Sequence, residues 1–166
     1  MKVLIVGATG FIGSALFRAA HDAGHQVMGT GRRLDCPLSF YHYDLLDPLA
    51  GELPLCDVAY LCAGIADYRK SEGNAEAWRV NVDGNMACAK RLAKAGAFIV
   101  YPSSVAAEWA HGTAYGRAKV AVEHFLQAIT EPAIVRFDRV TAERLPKLCN
   151  ELVIIGATRR AGIHHL

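Results

Sequence analysis

The chain has 166 residues, enough for one domain with a substantial core, and its composition, 52% hydrophobic and 20% charged without a low-complexity tract, is that of a globular protein. A formal charge of only +2 gives no reason to expect a nucleic acid or an anionic membrane as partner. No apolar run reaches membrane-spanning length, and the N-terminus shows neither a long apolar region nor a cleavage site, so the expected location is the cytoplasm.

Residues 3–6 form an apolar run too short for a helix and suited to a strand buried on both faces. Ile12, Leu16, Ala19 and Ala23 then recur at helical spacing, with Gly7, Gly10 and Gly13 between the two patterns. A strand, a glycine turn and a helix in that order present a helix N-terminus to a ligand. Gly7 permits the tight turn, Gly10 lets backbone N–H groups approach a pyrophosphate, and Gly13 lets the helix pack close to the strand. Thr9, Phe11 and Ile12 belong to the same expected dinucleotide-binding segment; the alternative is a purely structural turn.

A second strand is predicted over 26–30. About twenty positions past such glycines an acid accepts hydrogen bonds from the adenosine ribose, whereas an arginine neutralises a 2′-phosphate. Here Gly31 stands where the acid would be sought and Arg32 and Arg33 follow, which points to NADP, with NAD left open by the nearby Asp35. The other reading of these arginines is a solvated basic loop. A third strand is predicted over 40–43; after it, Asp44 and Leu45 lie against the adenine edge, or Asp44 is only a turn residue. A fourth strand, 58–61, runs into Cys62, which either faces the cofactor or serves as a small apolar side chain.

The five cysteines, Cys36, Cys56, Cys62, Cys88 and Cys149, are odd in number and lack close paired spacing, so reduced and mostly buried thiols are expected rather than a zinc site. His164 and His165, without a nearby ligand set, read as surface residues, and no metal is expected.

Two long helical patterns, 75–95 and 114–129, alternate with strands over 98–101 and 134–137; Ala118, Val122, Phe125, Leu126 and Ile129 make one stripe of the second helix. Such alternation predicts an α/β fold, a single doubly wound domain over 1–166 with a mainly parallel sheet. Ser103 and Ser104 close the fifth strand, at the carboxyl edge where open α/β sheets bind ligands. Tyr115 and Lys119 open the following helix at i and i+4, so the ammonium is expected to lower the phenol's pKa toward the range useful for proton transfer, or to hold a ribose. Ser104 is placed to hydrogen-bond a substrate carbonyl or developing alkoxide.

Gly7-Ala8-Thr9-Gly10-Phe11-Ile12-Gly13, Asp44-Leu45, Cys62-Ala63-Gly64, Asn81-Val82-Asp83-Gly84, Ser103-Ser104 and Tyr115-x-x-x-Lys119 follow one another as the motifs of the short-chain dehydrogenase/reductase superfamily do. Over 1–140 the chain resembles the extended branch, the NAD-dependent epimerase/dehydratase family, which acts largely on nucleotide sugars and includes dTDP-4-dehydrorhamnose reductase-like members. The resemblance implies catalytic roles for Ser104, Tyr115 and Lys119, places Ala63, Gly64 and Asn81 along the cofactor or in support of the site, and suggests a homodimer through 75–95 and 114–129, where Trp78, Val82, Met86, Val120 and Phe125 carry apolar surface.

The chain departs from the family after the sixth strand, where Arg136-Phe137-Asp138-Arg139 replaces an arginine-proline segment and only 26 residues follow position 140, so the substrate lobe is largely missing. The remnant, 141–166, is predicted to hold a short helix over 143–150 and a last strand over 152–155. Two functions remain: an NADP-dependent oxidoreductase acting on a small or nucleotide-sugar substrate, or a catalytically silent NADP-binding module serving as partner subunit or redox sensor.

Overall fold

The computed structural model describes residues 1–32, 40–109 and 112–160, the side chains of Tyr68 and Arg160 excepted. Arg33, Asp35, Cys36, His164 and His165, singled out above, lie outside the described residues. Strands β1 (Lys2–Val6), β2 (Gln26–Gly31), β3 (Phe40–His42), β4 (Val58–Leu61), β5 (Phe98–Ser104) and β6 (Ala133–Phe137) form one sheet in the order β3-β2-β1-β4-β5-β6. Every pair is parallel, as the alternating pattern requires. The strand order reverses at β1, so the connections leaving β1 and β4 run to opposite sides and open a crevice at their carboxyl ends.

Strand alternation divides the core. Val3 and Ile5 of β1 join the apolar cluster made with α1 (Phe11–Asp22) and α6 (Leu145–Arg160), while Leu4 and Val6 join the one made with α4 (Asn85–Lys94) and α5 (Ala114–Ile129). Leu16 of α1 and Leu126 of α5, both fully buried, each contribute about 2–3 kcal/mol of apolar burial to their layer. Helix α5 has the predicted limits because Thr113 caps it, its hydroxyl oxygen accepting from the Gly116 N–H at 2.9 Å. No helix among the described residues is long and apolar enough to cross a membrane.

Three expectations are refined or corrected. The pattern over 75–95 is one continuous helical run, as expected, but not a uniform α-helix. After the short α2 (Tyr68–Ser71) come α3 (Ala75–Trp78), capped by the Asn74 side chain, a π-helical turn (Arg79–Gly84), and then α4. The wide turn brings Asn81 and Asn85 together toward the loop after β4, and Gly84 lies so close to the Leu45 carbonyl that a Cβ there would sit 2.2 Å from it. Second, 143–150 and 152–155 are not a helix and a strand but the single helix α6. Leu145, Cys149, Leu152, Val153 and Gly156 fall on one stripe, and packing against α1 and β4 overrides the strand preference of Val153-Ile154-Ile155. The Tyr60 hydroxyl of β4 donates to the Leu152 carbonyl at 3.0 Å, and a Cβ at Gly156 would lie 2.1 Å from that hydroxyl oxygen. Third, β5 runs on through Ser104, since β6 pairs with it as far as Ser104 opposite Phe137, whereas pairing with β4 stops at Val100 and leaves that edge open beside Pro102.

Candidate active site

Along the carboxyl ends of the strands lie two adjoining clefts of about 290 and 460 Å³ that share Cys62, Ala63 and Gly64 and so form one trough. The smaller is lined by Gly7, Thr9, Gly10, Arg32, Asp44 and Leu45, the larger by Phe11, Ile12, Asn81, Ser104, Tyr115 and Lys119.

The glycine turn is built from clearances. Gly7 has φ +85°, and a Cβ on it would meet the Ala63 backbone at 2.7 Å. The N–H groups of Gly7 and Ala8 both donate to the Thr30 carbonyl, tying the turn to β2, and the Gly10 N–H donates to the Gly7 carbonyl at 3.0 Å. A Cβ at Gly13 would lie 2.2 Å from the Gly7 oxygen, so the close seating of α1 requires glycine there. Gly10 caps α1 without any side-chain hydrogen bond, and the first turn carries no acid. Its free N–H groups and the positive end of the helix dipole therefore suit an anion.

At the far side of this cleft β2 ends in Gly31, without a side chain to reach a ribose, and the exposed Arg32 follows. Asp44 is a turn residue, its carboxylate accepting from the Leu46 N–H at 3.0 Å, and it lines the cleft as well. The adjoining 44–54 loop is pinned by Arg91, which donates to the carbonyls of Pro48 and Gly51 and lies over the Tyr43 ring.

The trough floor, Cys62 to Ile65, is fixed from behind. Asn81 accepts from the Ile65 N–H at 2.7 Å and donates to the Ile65 carbonyl at 3.0 Å, a two-point clasp that makes it a support for the loop. Asn85, which sequence reasoning missed, donates to the carbonyls of Ala63 and Val80, and its side-chain oxygen is buried without a partner among the described residues while the residue lines the larger cleft. Burial pushes the Cys62 thiol up to about 12, so it is a protonated, inert lining group.

Ser104, Tyr115 and Lys119 meet on the larger cleft, as their spacing suggests. The Ser104 oxygen accepts from the Ala106 N–H at 3.2 Å, which leaves its own proton free to donate. Lys119 donates to the Pro102 carbonyl at 3.1 Å and sits 4.5 Å from the Tyr101 ring centre and 5.6 Å from that of Tyr115. The expected lowering of the phenol's pKa is corrected: burial pushes Tyr115 up, and the ammonium engages a carbonyl and the faces of rings. Burial also pulls Lys119 down to about 8, against the opposing charge of Glu123. Tyr115 is thus a protonated donor beside a cation.

Solved structures share this fold, among them MoeE5 in complex with UDP-glucose and NAD (TM-score 0.66, 24% identity, 81% of this chain and 52% of that one), UDP-glucose 4-epimerase of Thermotoga maritima with UDP-glucose (0.66, 18%, 82% and 55%) and dTDP-4-dehydrorhamnose reductase of Bacillus anthracis with NADP (0.66, 18%, 82% and 53%). The chain spans about half the length of each. A search of curated protein sequences finds no match. The sequence profile of the NAD-dependent epimerase/dehydratase family matches residues 3–137, from the first strand through the last, and the chain belongs to that family.

Proposed function

We propose that the trough binds NADP(H), with NAD the weaker ligand, and that the chain is an oxidoreductase of the epimerase/dehydratase type acting on the carbonyl or alcohol carbon of a small or nucleotide-sugar substrate. The observation that carries this reading is the continuity of the trough, which starts at an uncapped helix N-terminus and ends at Ser104, Tyr115 and Lys119. The dinucleotides and UDP-glucose named with the matching folds support it.

The N–H groups at the start of α1 would hold the pyrophosphate, and Arg32 would pair with a 2′-phosphate beside Gly31. Bound there, the nicotinamide supplies or accepts a hydride at the substrate carbon. Ser104 and Tyr115 donate hydrogen bonds to the substrate oxygen, and as the carbon gains hydride the Tyr115 hydroxyl passes its proton to that oxygen. Lys119 stabilises the resulting phenolate with its positive charge, and oxidation runs the same steps backward. Of the residues expected to carry a homodimer surface over 75–95 and 114–129, Trp78 is exposed and Met86, Val120 and Phe125 are half-buried, whereas Val82 is corrected to a core residue, 4% exposed; sedimentation at micromolar concentration should show a dimer through the remaining surface, and a monomer alone rejects it.

The test is calorimetric titration with NADPH and NADH, followed by NADPH oxidation assays over a panel of carbonyl compounds and nucleotide sugars. NADPH is expected to bind more tightly, with Arg32→Ala removing about 1.5–3 kcal/mol of that binding. Equal affinities reject the NADP preference. Tight binding without turnover across the panel favours the silent module.

A further inference from the structure

Glu123 lies on α5 one turn beyond Lys119 and two beyond Tyr115, on the same helix face. It does not line the trough. At 3% exposure it is a carboxylate of a kind almost never buried unless paired, and its partners come from two other elements. From β5, the Ser103 hydroxyl donates to one carboxylate oxygen. From β6, Arg136 donates through Nε at 3.1 Å and through Nη2 at 2.6 Å, one bond to each oxygen, and also reaches Glu108 at 3.7 Å. Two charge-assisted bonds to a planar guanidinium leave the carboxylate little freedom to turn.

The surroundings of the buried carboxylate and of the half-buried ammonium are few. Facing Lys119 are Tyr101 from β5, Cys62 from the end of β4, and Tyr115 and Glu123 from its own helix. Facing Glu123 are Arg136 from β6, Ser103 and Tyr101 from β5, and His124 beside it. Glu123 is the carboxylate one helical turn from the ammonium on the same helix.

We propose that Glu123 is a positioning residue for this site: held by Arg136 and Ser103, its carboxylate fixes the rotation of α5 against β5 and β6 and is the counter-charge for the Lys119 ammonium one helical turn away. The proposal rests on the reading of Tyr115 and Lys119 as the proton-transfer pair. Burial raises the Glu123 carboxyl, but the bonds from Arg136 and Ser103 outweigh it and hold the group below the usual carboxylate range, so it is charged at neutral pH. Without that charge, burial would act on Lys119 unopposed, since the Cys62 thiol is neutral, and the unpaired Arg136 would add a second cation nearby.

The test is a ¹³C NMR titration of the Lys119 Cε and Glu123 Cδ signals in the chain alone, without cofactor or substrate. In the wild type Lys119 should titrate near pH 8. In Glu123→Gln, which keeps the shape and can still accept from Ser103, its midpoint should fall by about one pH unit or more while cooperative unfolding persists. Glu123→Asp, which retains the charge, should recover most of that shift. A folded Glu123→Gln chain with the wild-type midpoint overturns the proposal. Should Glu123→Gln fail to fold, the wild type decides: a Glu123 carboxyl already ionised throughout the Lys119 titration supports the proposal, and one that is protonated in any part of that range overturns it. Since no cofactor enters the experiment, failure to bind NADPH would reject the functional reading and leave this result standing, and an unmoved midpoint would do the reverse.

Discussion

The two ends of the trough are made of different material. At the β1–α1 end the shape comes from backbone and from missing atoms, with Gly7 and Gly13 leaving room that a methyl group would fill. At the β5–α5 end it comes from side chains whose protons and charges matter, Ser104, Tyr115 and Lys119, with Glu123 and Arg136 behind them. An end built of backbone fails when an atom is added, and one built of functional groups fails when an atom is removed. Binding and chemistry should therefore be separable by substitution.

The sharpest separation is expected at Tyr115. Tyr115→Phe keeps the packed ring and removes the phenolic proton, so turnover should fall by about 10² to 10⁴ with NADPH affinity within a few-fold. Steady-state rates set beside calorimetric affinities check this, and equal losses in both would erase the distinction between the two ends.

The converse change is Gly13→Ala. The new Cβ would lie 2.2 Å from the Gly7 oxygen, and relief requires α1 to move off the turn. A loss of about 1–3 kcal/mol in urea unfolding is expected, together with weaker NADPH binding. Unchanged stability would show that the turn tolerates more than its geometry allows.

A smaller effect, of opposite sign, is expected at Lys119. Its pKa in the folded chain, about 8, lies below the ordinary 10.5, so between these values the unfolded chain binds more protons and stability rises with pH. Burying the ammonium costs most below pH 8, and the cost fades as pH climbs to 10.5. Lys119→Met should accordingly stabilise the fold by about 1–2 kcal/mol at pH 7, shrinking toward pH 10.5, while impairing turnover. Urea titrations across that range check the slope.

What was legible in the sequence follows the same division. Gly7, Gly10 and Gly13 announce themselves because the turn needs a missing side chain at fixed places, and the strands and α5 follow from local apolar patterns and the Thr113 cap. The clasp of Asn81 and Asn85 on the loop after β4 was not legible, because it depends on a π-helical turn that no local spacing signals. Nothing local singles out Glu123, four residues after Lys119, and only the sheet order brings Arg136 of β6 against it. The 152–155 segment is ambiguous by itself. Its helical form is decided by Tyr60, whose hydroxyl reaches a residue 92 positions away.

That long reach bears on how the protein is made. On a ribosome, β1, β4 and β5 emerge well before α6, and α1 alone cannot cover the face that Val58, Tyr60 and Val100 share with Leu145, Cys149 and Leu152. Until α6 leaves the exit tunnel and docks on Tyr60, one face of the sheet presents an apolar surface to water, the kind of surface through which nascent chains aggregate or recruit chaperones. Synthesis from the N-terminus thus delivers the glycine turn early and leaves the core behind it unsealed until α6 arrives.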